Sequence, residues 1–401
     1  MRSLNLVCRE IRDRVLAPDS ALWRARFGDK FDIPAGRTNA ELKTEYQIRA
    51  IVLPQTIDFN QEKSEHQTFW LEVLQQMLIE SLILPVNPDT SKTYERIQEI
   101  LTESELLEHP KRENPSELFC TVQLCLTTLA LTIDPPDKKA PAIKNKCSRS
   151  EYDIGIVYSH GMELRGPFID HKRLDLATLL HMRSFWQRHI VNNAEQSFHD
   201  SFARLPEDHR PQARNANVDN GASLSVSWLG YYSCLHPMPT TRKDFEDQQS
   251  CADLRGAHLS QVDIMTLDIH TKPGEPFWPE ECSKFIPQFG DDEVNRIYLE
   301  GVQSTLGGDP ANNPVFGFTE AIANPYGGFP GWTRICFAIC KQPDESDEEE
   351  ANDDAGSDAS SNWVHGYEGV ILPGGRVMLG RWMDLKNMDA SGRGPFLFWD
   401  L

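Results

Sequence analysis

Residues 364–382 read VHGYEGVILPGGRVMLGRW, and their pattern decides the fold of the C-terminal half. Two apolar runs, VHGYEGVIL and RVMLGRW, flank the turn LPGG at 372–375. Its glycines suit a backbone with φ > 0, the geometry that reverses a chain between two strands. Within RVMLGRW, Val377, Leu379 and Arg381 alternate with Met378, Gly380 and Trp382. Arg381 and Trp382 therefore point to opposite faces of one strand, and at most one faces the interior of a closed sheet. Six more short runs repeat this character: SVSWLGYYS, VDIMTLDIH, RIYLEGV, VFGFTEAI and TRICFAIC upstream, and PFLFWDL downstream. NPYGGFPG at 324–331 supplies another strong turn. Eight short strands bounded by turn residues predict an all-β unit over 223–401, a sandwich or a barrel. A closed antiparallel β-barrel of lipocalin-like form is preferred, because closure removes exposed strand edges.

Upstream the period changes. Residues 1–31 read as two short helices, the first on Leu4, Val7, Cys8, Ile11 and Val15. Pro18 breaks it, and Asp19 is the start signal of the second. In TFWLEVLQQMLIESLIL, the residues Trp70, Leu71, Leu74, Met77, Leu78 and Leu82 make one apolar face, and Pro85 and Pro88 end it. Further helices are expected at about 90–108 and 116–133, and a Pro- and Lys-rich loop at 134–150. RLDLATLLHMRSFWQRHIVN carries another helix on Leu176, Leu179, Leu180, Met182, Phe185, Trp186 and Ile190. The polar stretch 204–222 is expected to be a linker. The fold class is thus α+β: residues 1–31, a helical middle domain at 41–203, the linker, and the barrel at 223–401.

The chain has 401 residues and a formal charge of −20. Such a chain is repelled by phosphate backbones and anionic bilayers, so neither nucleic acid nor membrane is an expected partner. Nine of the acids lie in DESDEEEANDDAGSD at 344–358, within a segment (342–361) expected to be a long disordered loop between two strands. The most apolar stretch, Leu118–Ile133, is 16 residues long. A membrane span needs about 20, so a buried helix is expected. Nine scattered cysteines without a CxxC pair, and no permitted Asn-x-Ser/Thr sequon, favour a reducing compartment, cytoplasm or nucleus.

Two stretches carry a family resemblance. SLNLVCREIRDRVLAPDSALWRARFGDKFD, at the start, resembles the second half of an F-box, with a Leu-x-x-Val-Cys segment, a Pro18-Asp19 turn and Leu22-Trp23. An F-box normally opens with a Leu-Pro-x-x-Ile/Leu helix, a half that would lie upstream of Met1, so 1–31 is read as a partial F-box. WVHGYEGVILPGGRVMLGRWMDLKNMDASGRGPFLFWDL, at the end, is similar to the C-terminus of fungal F-box domain proteins. There an aromatic-Glu-Gly leads to Pro-Gly-Gly, Gly-Arg-Trp and a final Gly-Pro-Phe-x-x-Trp. WLGYYS at 228–233, GGFPGWTRICF at 327–337, and Arg183 followed by Phe185, Trp186 and His189 fit the same pattern. The resemblance implies a substrate-recognition subunit of a Skp–cullin–F-box ubiquitin ligase, with the chemistry on other subunits. The implied partners are the Skp adaptor, the cullin and a protein target, and no cofactor or catalytic residue is implied. Leu4, Val7, Cys8, Leu22 and Trp23 would face the adaptor.

Trp228, Trp332, Arg381, Trp382 and Trp399 are the candidate substrate-binding set, since Trp and Arg dominate binding hot spots. The plainer reading of such residues is barrel core, with Arg381 stacked on an indole. His181 and His189 stand two helical turns apart, about 12 Å, too far to share an ion. Cys336 and Cys340 fall on one strand face and read as small buried hydrophobes. The sequence holds no phosphate-loop, nucleophile-elbow or His-Glu-x-x-His motif. The alternative function is a lipocalin-like binder of a small ligand or peptide, without ligase association. For a small apolar ligand, a wide lumen would favour that reading and a packed lumen would oppose it.

Overall fold

The structure, a computed structural model, describes residues 13–14, 16–59, 64–83, 91–108, 115–131, 140–158, 167–169, 173–192, 196–211, 224, 226–234, 264–274, 296–307, 312–323, 325–340, 363–386 and 392–401. Leu4, Val7, Cys8 and the acidic run lie outside these residues.

The N-terminal half is a layer of helices. They are α1 (Ala21–Gly28), α2 (Asn39–Val52), α3 (Glu65–Leu78), α4 (Lys92–Glu103), α5 (Glu117–Cys125), α6 (Thr127–Leu131), α7 (Ala140–Cys147), α8 (Ile154–Val157), α9 (Leu176–Val191) and α10 (Gln196–Ala203). A two-stranded ribbon, β1 (Phe168–Ile169) with β2 (Arg173–Leu174), precedes α9. Capping follows local chemistry. Ser20, rather than Asp19, caps α1 through Leu22 N–H. Thr38 and Glu41 form a reciprocal capping box on α2. The apolar face of α3 is buried as expected, from Trp70 and Leu71 to Met77 and Leu78.

Two expectations are corrected here. The helix over 116–133 is split at Leu126, where Thr127 Oγ1 turns back to bond Leu124 O at 2.6 Å. The expected loop at 134–150 contains helix α7. Ile143 and Cys147, one turn apart, are fully buried. Pro141 sits in the first turn, where its missing N–H costs nothing, and Lys144 and Lys146 sit in the last.

The eight expected strands all form: β3 (Ser227–Tyr232), β4 (Met265–Lys272), β5 (Arg296–Thr305), β6 (Asn313–Ala321), β7 (Thr333–Cys340), β8 (Val364–Ile371), β9 (Val377–Asp384) and β10 (Arg393–Asp400). Each pairs antiparallel with its sequence neighbours, and β10 closes on β3. This is an up-and-down barrel with no open edge. Gly374 and Gly375, at φ 97° and 72°, make the β8–β9 turn.

Alternation assigns the two barrel faces. Trp228, Leu267, Phe337, Tyr367, Trp382, Phe396 and Phe398 belong to the lumen cluster. Leu229, Tyr231, Val370, Leu379, Leu397 and Trp399 point outward and share one core with the helices. The boundary placed at 204–222 therefore does not separate two cores: the helical layer is packed onto the outside of the barrel.

Candidate functional site

The predicted set divides between the two faces. Trp228 and Trp382 fill the lumen. Trp399, Trp332 and Arg381 lie in the joint between barrel and helices. All five side chains are buried, with Arg381 the most exposed at 5%. Their side chains are packed inside the protein, two in the barrel and three against the helices, whereas the plainer reading put all of them in the barrel core.

The lumen is filled by rings. Phe337 and Tyr367 stack at 4.6 Å, and Phe396 and Phe398 pack edgewise around them. Gly369 and Gly380 face each other across β8 and β9. A Cβ on either would come within 2.8 Å of the Phe396 ring, so this glycine pair makes the space that the ring covers. Trp382 Nε1 donates to Ser233 O at 2.9 Å, which satisfies its one polar atom. Rings thus occupy the space that a small apolar ligand would need.

At one end of the barrel His365 is sandwiched by Trp363 at 4.2 Å and Trp382 at 4.8 Å. Burial pushes this imidazole down to about 4, against the opposing pull of Asp384. The folded state holds it neutral. A folded pKa below the unfolded value means that its contribution is complete above the ordinary 6.5 and is lost as pH falls through about 4. Asp400 has the opposite sign. Burial raises its carboxyl to about 6, opposed by Arg376, so its contribution is present at low pH and lost as pH rises through about 6. Urea unfolding at pH 7 and pH 4.5 is expected to show a shallower acid loss in His365→Gln and a steeper one in Asp400→Asn. Parallel behaviour of the two variants would contradict this account.

The joint carries the polar chemistry. Arg334 and Glu368, on adjacent strands, form an ion pair whose side chains are 3% and 1% exposed. Phe168 of the ribbon lies over the Arg334 guanidinium at 4.8 Å. Arg381 reaches the carbonyl of Ile156, at the end of α8. Burial lowers it to about 10, against the carboxylate of Asp175 at the start of α9. Trp399 Nε1 donates to His209 O at 2.9 Å, which fastens the start of the linker to β10. Tyr158 Oη and Ser233 Oγ bond across the joint at 2.7 Å.

The turn at 325–332 plugs into the helical layer. Phe329 and Trp332 are buried in the shared core, and Trp332 Nε1 donates to Phe329 O. Gln75 of α3 donates to Gly327 O, and Gly327 N–H donates to Glu117 of α5. Gly327 has φ 51°, and a Cβ there would lie 2.1 Å from Thr121 Oγ1. Backbone conformation and close approach both require glycine at this position.

On α9, Trp186 stacks with Tyr231 of the barrel at 21° between planes, and Tyr231 meets Trp399 at 5.6 Å. His189 Nε2 bonds Tyr152 Oη at 2.8 Å, and His181 Nδ1 accepts from Asp153 N–H. Each imidazole is engaged separately, and no cluster of three metal-ligating side chains occurs among the described residues. Cys336 and Cys340 do share the outward face of β7, and burial raises the Cys336 thiol.

Arg183 is the odd member of this helix. It is 1% exposed, its Nε and Nη2 have no hydrogen-bond partner among the described residues, and the Cys147 thiol lies in its field. Burial lowers it to about 10. Removing an uncompensated buried cation relieves its desolvation cost, so Arg183→Met is expected to stabilise the protein by about 1–3 kcal/mol. A loss of stability in thermal unfolding would show that the guanidinium is compensated in solution.

Of the five expected adaptor-facing residues, the structure describes two. Leu22 is half-buried, whereas Trp23 is 4% exposed and turned onto Tyr46 and Lys43 of α2. The joint itself was missed in the sequence, because its halves lie far apart in the chain. The chain matches no family model, no curated protein and no solved structure. No helix among the described residues is long and apolar enough to cross a membrane.

Proposed function

We propose that this chain is a non-catalytic substrate receptor of a Skp–cullin–F-box ubiquitin ligase, acting in the cytoplasm or nucleus. The observation that supports it is where the quoted C-terminal motif falls. Glu368 of Tyr-Glu-Gly pairs with Arg334, and Arg381 of Gly-Arg-Trp holds α8. Phe396 of Gly-Pro-Phe fills the lumen, and Trp399 fastens the linker. Glu368, Arg381 and Trp399, spread over 32 positions, thus serve one joint between a barrel and a helical layer, and Phe396 packs the lumen behind it. A pattern of this kind encodes a framework, which suits a rigid adaptor that holds a target at a fixed distance from a partner subunit. Such a receptor works by proximity, raising the effective concentration of a target lysine near the ubiquitin-loaded enzyme.

The adaptor would meet Leu4, Val7, Cys8 and the exposed part of Leu22. The five buried aromatic and arginine residues are the frame, and the target meets other surfaces. Mixing the purified chain with the Skp adaptor and measuring the mass of the eluting complex tests this. The expected result is a one-to-one complex that Val7→Asp abolishes. Elution of the two proteins separately would overturn the receptor reading and leave a binding protein without a ligase.

A further inference from the structure

A groove of about 580 Å³ runs between α2 and α3, on the helical layer. Ile48, Phe69 and Val73 line it, and Ile48 and Phe69 are 36% and 47% exposed. Ile51, one turn beyond Ile48 on α2, is 66% exposed and extends the apolar surface. Other large apolar residues exposed among the described ones are scattered along the chain, whereas Ile48 and Phe69 line one groove, and adjoining apolar surface of this kind marks interaction sites. Together with Arg37 just before α2, the lining extends along that helix from Ala40 to Arg49, nine residue steps. At 1.5 Å per residue this helical part is about 13.5 Å, or two and a half turns.

The rim selects the charge of the occupant. Glu41, Glu45 and Glu72 line the groove, and Glu80 stands behind Arg49. Against these four carboxylates stand two guanidiniums, Arg37 and Arg49. Arg49 is 2% exposed and already gripped by both Glu45 and Glu80, so it offers little charge to a visitor. Burial and the neighbouring Glu80 raise the Glu45 carboxyl, although Arg49 opposes this. Glu72 is exposed at the mouth. The lining therefore carries an excess of one negative charge around an apolar floor, and Glu80 behind Arg49 brings the local excess to two. A second copy of this chain, with formal charge −20, would be repelled from it.

We propose that the α2–α3 groove docks a basic amphipathic helix of a partner protein. Apolar residues spaced i, i+3/i+4 and i+7 on that helix would cover Ile48, Phe69 and Val73, and its Lys or Arg side chains would face the exposed Glu72 and Glu41. The inference stands apart from the ligase reading, since the groove would serve a receptor or a free-standing binding protein alike.

The test uses the full chain and two fluorescently labelled 15-residue peptides of Leu at helical spacing, one with Lys and one with Glu at the polar positions. Fluorescence anisotropy is expected to show binding of the Lys peptide at least tenfold tighter than that of the Glu peptide. Ile48→Ser and Phe69→Ser, both at exposed positions, are expected to weaken it at least tenfold, and Glu72→Lys severalfold. The proposal is overturned if the two peptides bind alike, or if the three variants leave binding of the Lys peptide unchanged. It is also overturned if the chain forms a dimer that Phe69→Ser dissociates and that excludes the peptide. Circular dichroism of each variant confirms that a lost signal is not lost folding.

Discussion

Glu368→Ala is expected to destabilise the protein by about 3–5 kcal/mol in urea unfolding at pH 7. Glu368 is 1% exposed and carries the carboxylate that meets Arg334. Without it the guanidinium stays behind in the joint, beneath Phe168 and against the outer wall of β7 and β8. Water cannot reach it to replace the lost partner, so most of the desolvation cost of the cation is felt. Arg381 adds to the effect, because Glu368 also lies in its field. The double substitution Arg334→Met with Glu368→Met removes both charges at once. It is expected to cost much less than the sum of the two single substitutions, since an apolar pair leaves no charge stranded. A loss below about 1 kcal/mol for Glu368→Ala would show that the pair is hydrated.

Phe396→Ala is expected to cost a similar amount, about 3–5 kcal/mol, for a different reason. The Phe396 side chain is fully buried and packs within 5.5 Å of Tyr367 and 6.0 Å of Phe337, ring centre to ring centre. It also covers the Gly369–Gly380 pair, which has no side chains to collapse into the space. The cavity should therefore persist. Benzene is expected to raise the melting temperature of the variant and to leave the native protein unchanged, because a dry apolar cavity takes up such a probe. Equal stabilisation of the native protein would mean that its lumen is not filled.

The barrel was legible because each strand is a short apolar run closed by turn residues, and because alternation is a local property. RVMLGRW alone separates Arg381 from Trp382, and the structure puts them outside and inside as that pattern requires. Helix α7 was not legible, because its Pro and Lys content hides the buried pair Ile143 and Cys147. The joint was illegible for a deeper reason. Gln75 meets Gly327 across 252 positions, and no local pattern reports such a contact. A tryptophan has the same appearance in sequence whether it grips a partner or a neighbouring helix. Trp332 and Trp399 do the second, and Trp228 and Trp382 fill the barrel's own lumen. The groove was missed for the reverse reason: Ile48 and Phe69 lie on helices whose other faces are buried, and only the packing shows which apolar residues are left over.

The central claim is tested most directly by placing a C-terminal affinity tag at the native locus and identifying what co-purifies with the protein from its source cells. The account predicts the Skp adaptor and the cullin, in amounts comparable to the tagged chain. Recovery of intact tagged protein with neither subunit would contradict it.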